Sequence, residues 1–136
     1  MTAATPTVPT RDRPEPGSEA HTALVALQND QFRRWHCLGE RKPGVFVPGK
    51  SVWTATFEAE PAAFKRAALK AIGEMETFDA ENDPDGFHDF GSVSVEGRDV
   101  WFKIDLFDRG YEYGSEDPAD LETTRRVLTI LFPSDW

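Results

Sequence analysis

Residues 93–107 read VSVEGRDVWFKIDLF, and this stretch decides the fold. Valine alternates with serine before Glu96-Gly97, and apolar residues alternate again from Val100 onward. A period of two is typical of β-strands, and two such runs on either side of Glu96-Gly97 favour a two-residue type I′ turn. A turn placed one residue later would set Glu96 opposite Asp99, and like charges directly across a strand pair are destabilising. The sequence therefore predicts a β-hairpin centred on Glu96-Gly97.

One helix and one strand are predicted before this hairpin. Apolar residues from Phe64 to Phe78 form one stripe, with lysine and arginine side chains opposite them, which predicts an amphipathic helix over about residues 61–78. Pro61 suits the first position of that helix, because the first turn needs no backbone N–H donor there. Residues 51–58 alternate and predict a strand.

A further helix is predicted near the N-terminus. Residues 1–17 contain four prolines and many threonines and alanines, so we expect a disordered tail, with a single domain over residues 18–136. Ser18 is a suitable N-cap for a helix that ends near Gly39. The apolar arc of this helix is predicted to comprise Leu24, Leu27, Phe32 and Trp35.

A last strand is predicted over residues 125–132, which gives the element order α-β-α-β-β-β. The natural solution is an α+β fold, with an antiparallel sheet of about four strands and two helices on one face. A sheet that is covered on one face leaves its other face free to meet water or a partner.

Charge is the most informative property of the composition. The chain of 136 residues has 24 acidic and 15 basic residues, for a net charge of −9. Residues 74–122 hold 16 of the acidic and three of the basic residues, a local net charge of −13, while the remainder carries +4. Since nucleic-acid binders need a positive contact surface, we expect no direct nucleic-acid ligand and favour a protein partner with a basic surface.

The location is expected to be the cytoplasm. Residues 1–10 lack the apolar core of a secretion signal, and no apolar run is long enough to cross a membrane, so no membrane contact is expected. Cys37 is the one cysteine and fits a reducing compartment. No convincing nucleophile arrangement surrounds it, and glycine-rich phosphate loops are absent from the sequence.

Two neighbouring features indicate a protein contact surface. The hairpin's second strand turns one set of side chains away from its apolar face, and aromatic residues among charged ones are typical of interfaces. This set is Trp101, Lys103, Asp105 and Phe107. The long loop over residues 108–122 carries spaced carboxylates that could imitate a phosphate backbone. The predicted contacts in this loop are Glu112, Glu116, Asp117 and Asp120.

An alternative site centres on a histidine. His88 lies beside acidic residues, and a histidine with carboxylates could bind a divalent metal or transfer protons. The residues of this alternative are His88, Asp89, Asp105 and Asp108. Residues 81–89 also resemble the start of a calcium loop, but Ser92 stands where the bidentate glutamate should be.

Several strings of residues match a known pattern, in order. They are Asn82-Asp83-Pro84, His88-Asp89-Phe90-Gly91, Lys103-Ile104-Asp105 with Asp108, GSEDPAD at 114–120 and RVLTI at 126–130. Over about residues 22–132 the chain resembles a family of small bacterial proteins, domain of unknown function 3768. Phe87 stands where this family usually has an acidic residue, and Leu106-Phe107 replaces a tyrosine pair, which weakens the metal site. The resemblance implies a common fold without a known activity, and an association with plasmids and other mobile elements.

These observations lead to one hypothesis and one alternative. The hypothesis is a non-enzymatic, acidic protein-binding module without a cofactor. It would act as a nucleic-acid mimic that occupies the basic groove of a restriction or CRISPR effector. The alternative is a small metal-binding domain or metal-dependent enzyme built on His88. The sequence leaves the oligomeric state open.

Overall fold

The computed structural model of the chain describes residues 13–136. The helices are α1 (Glu19–Leu38), α2 (Ala55–Glu58) and α3 (Ala62–Gly73), the strands are β1 (Gly49–Trp53), β2 (Phe90–Val95), β3 (Arg98–Phe107) and β4 (Arg125–Leu131), and a 3-10 turn spans Pro133–Asp135. None of the helices within residues 13–136 is long and apolar enough to cross a membrane.

The predicted hairpin is confirmed, including its turn. Strands β2 and β3 pair antiparallel, and Val95 lies opposite Arg98 at the last step of the ladder. Glu96 and Gly97 between them have φ angles of 53° and 79°. Positive φ at both central residues is the mark of a type I′ turn, whose twist matches that of the flanking strands.

The α+β class is confirmed, but the prediction of a purely antiparallel sheet is wrong. The four strands lie in the order β1-β4-β3-β2, and β4 is antiparallel to β3 but parallel to β1. Strand β4 lies between β1 and the hairpin, so it has one neighbour on each side, and these two neighbours run in opposite directions. Alternation within a single strand contains no information on the direction of its neighbour.

The predicted order α-β-α-β-β-β is wrong in one respect, because it lacks the short helix α2, and the ends of two elements also differ from the prediction. Strand β1 ends at Trp53, because the Thr54 side chain accepts the backbone N–H of Phe57 and starts the short helix α2. Helix α3 ends at Gly73 rather than near residue 78. Met75 and Phe78 lie beyond the end of the helix and still pack against the core. The apolar stripe therefore extends past the helix, which is shorter than predicted.

The buried face of α1 is more polar than predicted. Leu27, expected in the core, is 50% exposed. Phe32 is buried as expected, but its buried neighbours on this helix include polar side chains. Those polar residues are His21, Gln28, Asn29 and Arg33. Polar side chains can be buried where they find hydrogen-bond partners, and a hydrophobicity pattern does not reveal such partners.

One apolar core forms between the helices and one face of the sheet. Val100, Phe102 and Ile104 on alternate positions of β3 are buried and contribute to it. The helices contribute Phe32, Phe57, Phe64, Ala68 and Ile72, and β4 contributes Leu128 and Ile130. Because the intervening side chains of β3 point to the other face, the core fixes which side of the sheet meets solvent.

Removing apolar volume from α3 is expected to destabilise the protein. Phe64→Ala or Ile72→Ala should lower the free energy of unfolding by roughly 2–5 kcal/mol, because each leaves a cavity in the core. Urea denaturation measures this loss, and Leu27→Ala on the half-exposed face of α1 is the control. Losses under about 0.5 kcal/mol at both core sites would contradict the assignment of α3 to the core.

The thiol of Cys37 is expected to be unreactive in the folded protein. Burial raises its pKa to about 12, although the nearby positive charge of Arg33 opposes this. Because only the thiolate attacks disulfide reagents, the folded protein at pH 8 should react at least about 100-fold more slowly than the urea-unfolded chain. Stopped-flow labelling with an aromatic disulfide measures both rates, and equal rates would contradict the buried position.

Candidate functional site

Two acidic loops lie at one end of the sheet. Strand β2 begins at Phe90, opposite Lys103, and β3 ends at Phe107, opposite Arg125. The loop that precedes β2 and the loop that follows β3 therefore meet at this edge. We call residues 79–89 and 108–122 together the acidic end.

The carboxylates of the first loop are close enough to interact with one another and with Asp105 of β3. The pKa of Asp89 is raised, first by burial and then by the negative charges of Asp83, Asp85 and Asp105. Burial disfavours the charged form of this carboxyl, and the neighbouring carboxylates add to the effect. The fold therefore brings the carboxylate of Asp105 on β3 close to the carboxylates of the first loop, which the sequence alone does not show.

A buried polar junction ties both loops to α1. Asn29 Nδ2 donates a hydrogen bond to the carbonyl oxygen of Phe87 at 2.9 Å, and Gln28 Nε2 donates to that of Ala119 at 3.1 Å. Arg126 of β4 joins the two side chains, since its Nε donates to Asn29 Oδ1 at 2.6 Å and its Nη2 to Gln28 Oε1 at 3.1 Å. We call Gln28, Asn29 and Arg126 the polar junction.

The guanidinium of Arg126 lacks a carboxylate partner among residues 13–136, and its Nη1 makes no hydrogen bond to them. Burial lowers its pKa to about 9. A buried cation that is held by neutral amides is costly, so the remaining acceptors of the junction matter for stability.

His88 is fixed by four independent features. Its backbone has a φ of 57°, and its N–H donates to both carboxylate oxygens of Asp83 at 3.2 Å. Its ring stacks on Phe78 with centroids 4.2 Å apart. Its Nδ1 lies 3.0 Å from both oxygens of Asp30, which also accepts a hydrogen bond from Arg33 at 2.9 Å. A carboxylate accepts, so Nδ1 carries the proton.

Sequence reasoning missed Asp30 as the partner of His88. The two residues are 58 positions apart and belong to a helix and a loop, so no local spacing connects them. The acidic residues near His88 in the sequence were the more visible candidates, but within residues 13–136 the ring hydrogen-bonds to Asp30, and Asp83 accepts the backbone N–H.

The predicted metal set does not converge on one point. His88 turns to Asp30, Asp105 accepts a hydrogen bond from Lys103, and Asp108 accepts the backbone N–H groups of Gly110 and Glu112 at 3.1 Å each. Within the described part of the chain, no group of three or more histidine, cysteine or acidic side chains is placed to hold a metal ion. Asp105 is used for a surface ion pair and Asp108 for loop structure, while Asp89 is half-buried just before β2.

The outward stripe of β3 forms an aromatic surface. Trp101, Lys103, Asp105 and Phe107 are half-buried and alternate with the core residues of the strand. Trp101 contacts the ring of Phe90 at 5.2 Å and that of Trp136 at 6.1 Å between centroids. Trp136 is 75% exposed. We call Phe90, Trp101 and Trp136 the aromatic cluster. The sequence predicted only its central residue, because the other two reach it by strand pairing and by the final turn.

The four predicted contacts of the long loop divide into two pairs. Asp117 and Asp120 are half-buried and form ion pairs with Arg13, at 3.0 and 3.5 Å. Asp117 also lies 3.3 Å from His21 Nε2. Glu112 and Glu116 are exposed and make no ion pair with residues 13–136. The first pair fastens the loop to the N-terminal segment, and only the second pair is free to meet a partner.

These ion pairs bear on the predicted tail as well. Residues 1–12 of that tail lie outside the described residues, so its disorder stays a prediction. Residues 13–17 are described, and Arg13 joins them to the long loop.

Loss of the polar junction is expected to destabilise the protein. Asn29→Ala removes the acceptor of the buried Arg126 Nε and the donor to Phe87, which should lower the free energy of unfolding by about 2–4 kcal/mol. Urea denaturation measures the change. Gln31→Ala, a half-buried neighbour outside the junction, should cost under about 1 kcal/mol. Equal losses for the two variants would show that the junction contributes nothing specific.

The comparisons with known proteins give one result. The chain matches the family model described as a protein of unknown function (DUF3768) over residues 53–135. No curated protein and no solved structure matches the chain. The match begins at the end of β1 and includes the hairpin, both loops of the acidic end and β4, so it spans more than half of the chain. The chain therefore belongs to the DUF3768 family.

Proposed function

We propose that this protein is a non-enzymatic binding module whose acidic end docks onto a basic surface of another protein. The observation that carries the proposal is a set of exposed carboxylates at this end that make no ion pair with residues 13–136. They are Asp79, Glu81, Asp85, Glu112, Glu116 and Glu122.

Repulsion within the acidic end supports a functional interpretation. Charges that serve only solubility can be spread over the surface, whereas here burial and then the charges of Asp83, Asp85 and Asp105 raise the pKa of Asp89. Such a concentration lowers the stability of the free protein and is relieved when a cationic surface approaches. A concentrated negative field also accelerates encounter with a basic partner.

The aromatic cluster would supply the apolar part of the interface. Phe90 follows the acidic loop directly and lies opposite Lys103, so the cluster borders the acidic end. Tryptophan side chains often dominate binding energy when a partner removes them from water. Charge would then steer the encounter, and Trp101 with Trp136 would slow dissociation.

The class of partner that best fits is a nucleic-acid-handling protein with a basic groove. Carboxylates held on two neighbouring loops can present negative charges in the way a phosphate backbone does. The mobile-element association that the family resemblance implies makes a restriction or CRISPR effector the first partner to test. In this proposal the protein blocks the groove and carries out no chemistry itself.

Binding is expected to depend on the charge of the acidic end and on salt. A panel of DNA-cleaving endonucleases and RNA-guided effectors would be tested for loss of DNA binding and for affinity by biolayer interferometry. For a panel member that binds, raising salt from about 50 to 300 mM should weaken affinity more than tenfold, because salt screens the attraction. Glu112→Lys with Glu116→Lys should weaken affinity at least tenfold at low salt.

The control is a pair of reversals with the same charge change at the other end of the hairpin. Glu96 and Asp99 are exposed and make no ion pair with residues 13–136. Their change to lysine should weaken binding less than threefold, whereas Trp101→Ala should raise the dissociation rate. The proposal fails if no member of the panel binds, or if both pairs of reversals have the same effect.

A further inference from the structure

A groove separate from the acidic end lies between the C-terminal half of α1 and residues 39–47. Its volume is about 470 Å³. Its apolar walls include Trp35, Val45 and Val47, and three basic side chains also line it. The basic residues are Arg34, Arg41 and Lys42. Pockets of this size accommodate small molecules of one or two rings.

One aromatic side chain, that of Trp35, lines this groove. The ring of Trp35 contacts Phe46 edge-on, with centroids 5.6 Å apart. The guanidinium of Arg41 lies 5.1 Å from the Trp35 ring centroid, within the range of a cation–π contact. Phe46 remains 48% exposed beside them. The indole is therefore held in place by its neighbours and still borders open space.

Of the three basic side chains that line the groove, one is engaged by other residues and two form no ion pair within residues 13–136. Arg34 Nη2 lies 3.1 Å from Glu40 Oε1, and Arg34 Nη1 donates to the carbonyl oxygen of Gly73, so this guanidinium is engaged. Arg41 and Lys42 are exposed and form no ion pair with any carboxylate of residues 13–136. Arg41 contacts the Trp35 ring and makes no side-chain hydrogen bond within residues 13–136, so its N–H donors are available for an acceptor.

The charge beside this groove differs from the charge of the chain as a whole. The chain carries a net charge of −9, yet here two cations without carboxylate partners adjoin an apolar groove with an indole at its edge. The docking of the acidic end uses neither the groove nor its cations. An apolar molecule alone would leave both cations unused, and an inorganic anion alone would leave the apolar walls exposed.

We propose that the groove is a second binding site, for a small molecule with an aromatic ring and an anionic group. The ring would lie against Trp35, and the carboxylate or phosphate would accept hydrogen bonds from Arg41 and Lys42. Oxyanions pair well with guanidinium groups, and flat rings gain contact with indoles.

The test uses the full chain labelled with ¹⁵N and follows the indole N–H signal of Trp35, assigned by its loss in Trp35→Phe. Two probes carry a ring and an anion, adenosine 5′-monophosphate and indole-3-acetate, and they distinguish phosphate from carboxylate. Adenosine lacks the anion, and inorganic phosphate lacks the ring. At least one of the two aromatic anions should shift the Trp35 signal saturably, with an affinity at least tenfold higher than adenosine or phosphate.

Variants test whether the two cations receive the anion. Arg41→Gln with Lys42→Gln should weaken binding of the active probe at least tenfold. Arg66→Gln with Arg109→Gln removes the same charge from two exposed arginines that form no ion pair with residues 13–136, and it should change affinity less than threefold. All four side chains are exposed, so both variants should fold, and the dispersion of the same spectra checks this.

Three results would overturn the proposal: no saturable shift with either aromatic anion, equal affinity for adenosine or phosphate, or equal effects of the two double variants. Because Arg41 and Lys42 lie outside the acidic end, the variant with Arg41→Gln and Lys42→Gln should bind a basic partner protein unchanged. Failure at this groove is therefore distinguishable from failure of the proposed function.

Discussion

Two buried guanidinium groups, those of Arg33 and Arg126, fix the position of α1 on the rest of the structure. Arg33 donates to the carbonyl oxygens of Ile72 and Met75, at 3.0 and 2.9 Å, and so satisfies backbone acceptors at and beyond the end of α3. Arg126 holds Gln28 and Asn29 of α1 from within the sheet. Since an unpaired buried cation is costly, α1 cannot slide or rotate without losing these partners. Apolar packing alone would permit many more placements of a helix on a sheet.

The acidic end depends on this arrangement. Asn29 and Gln28 reach the backbone of both acidic loops, and Asp30 connects Arg33 to His88 in the first of them. The first loop also concentrates charge, because the Asp89 carboxyl is buried near the charges of Asp83, Asp85 and Asp105. Hydrogen bonds from α1 hold both loops in the free protein. A preformed acidic surface loses little conformational entropy when it binds, which favours a docking function over one that requires folding on contact.

The sequence predicted the elements whose patterns are local. Alternation and a Glu-Gly pair were sufficient for the hairpin and its turn, and the apolar stripe from Phe64 identified α3. The outward direction of Trp101 followed from the same alternation. The parallel pairing of β1 with β4 was not predictable, since a strand pattern does not specify the neighbour that it will meet.

The polar contacts of α1 were also beyond prediction. Asn29 and Arg126 are separated by 97 residues, and Asp30 and His88 by 58, so only the folded chain brings them together. The predicted apolar arc of α1 included Leu27 and not Asn29, whereas the structure leaves Leu27 50% exposed and buries Asn29. The sequence predicted only Trp101 of the aromatic cluster, because Phe90 and Trp136 contact it through tertiary structure.

The central claim is that the polar junction holds the acidic end in one conformation before any partner binds. Amide hydrogen exchange in the free protein tests it most directly at His88, Ser115 and Thr124. These N–H groups donate to the Asp83 carboxylate and to the carbonyl oxygens of Leu106 and Asp120. The account predicts that all three exchange at least about 100-fold more slowly than in the unfolded chain, by a mechanism of rare local opening. Exchange at the unfolded rate in both loops, with β3 and β4 still protected, would show that the acidic end is not preformed and would contradict the account.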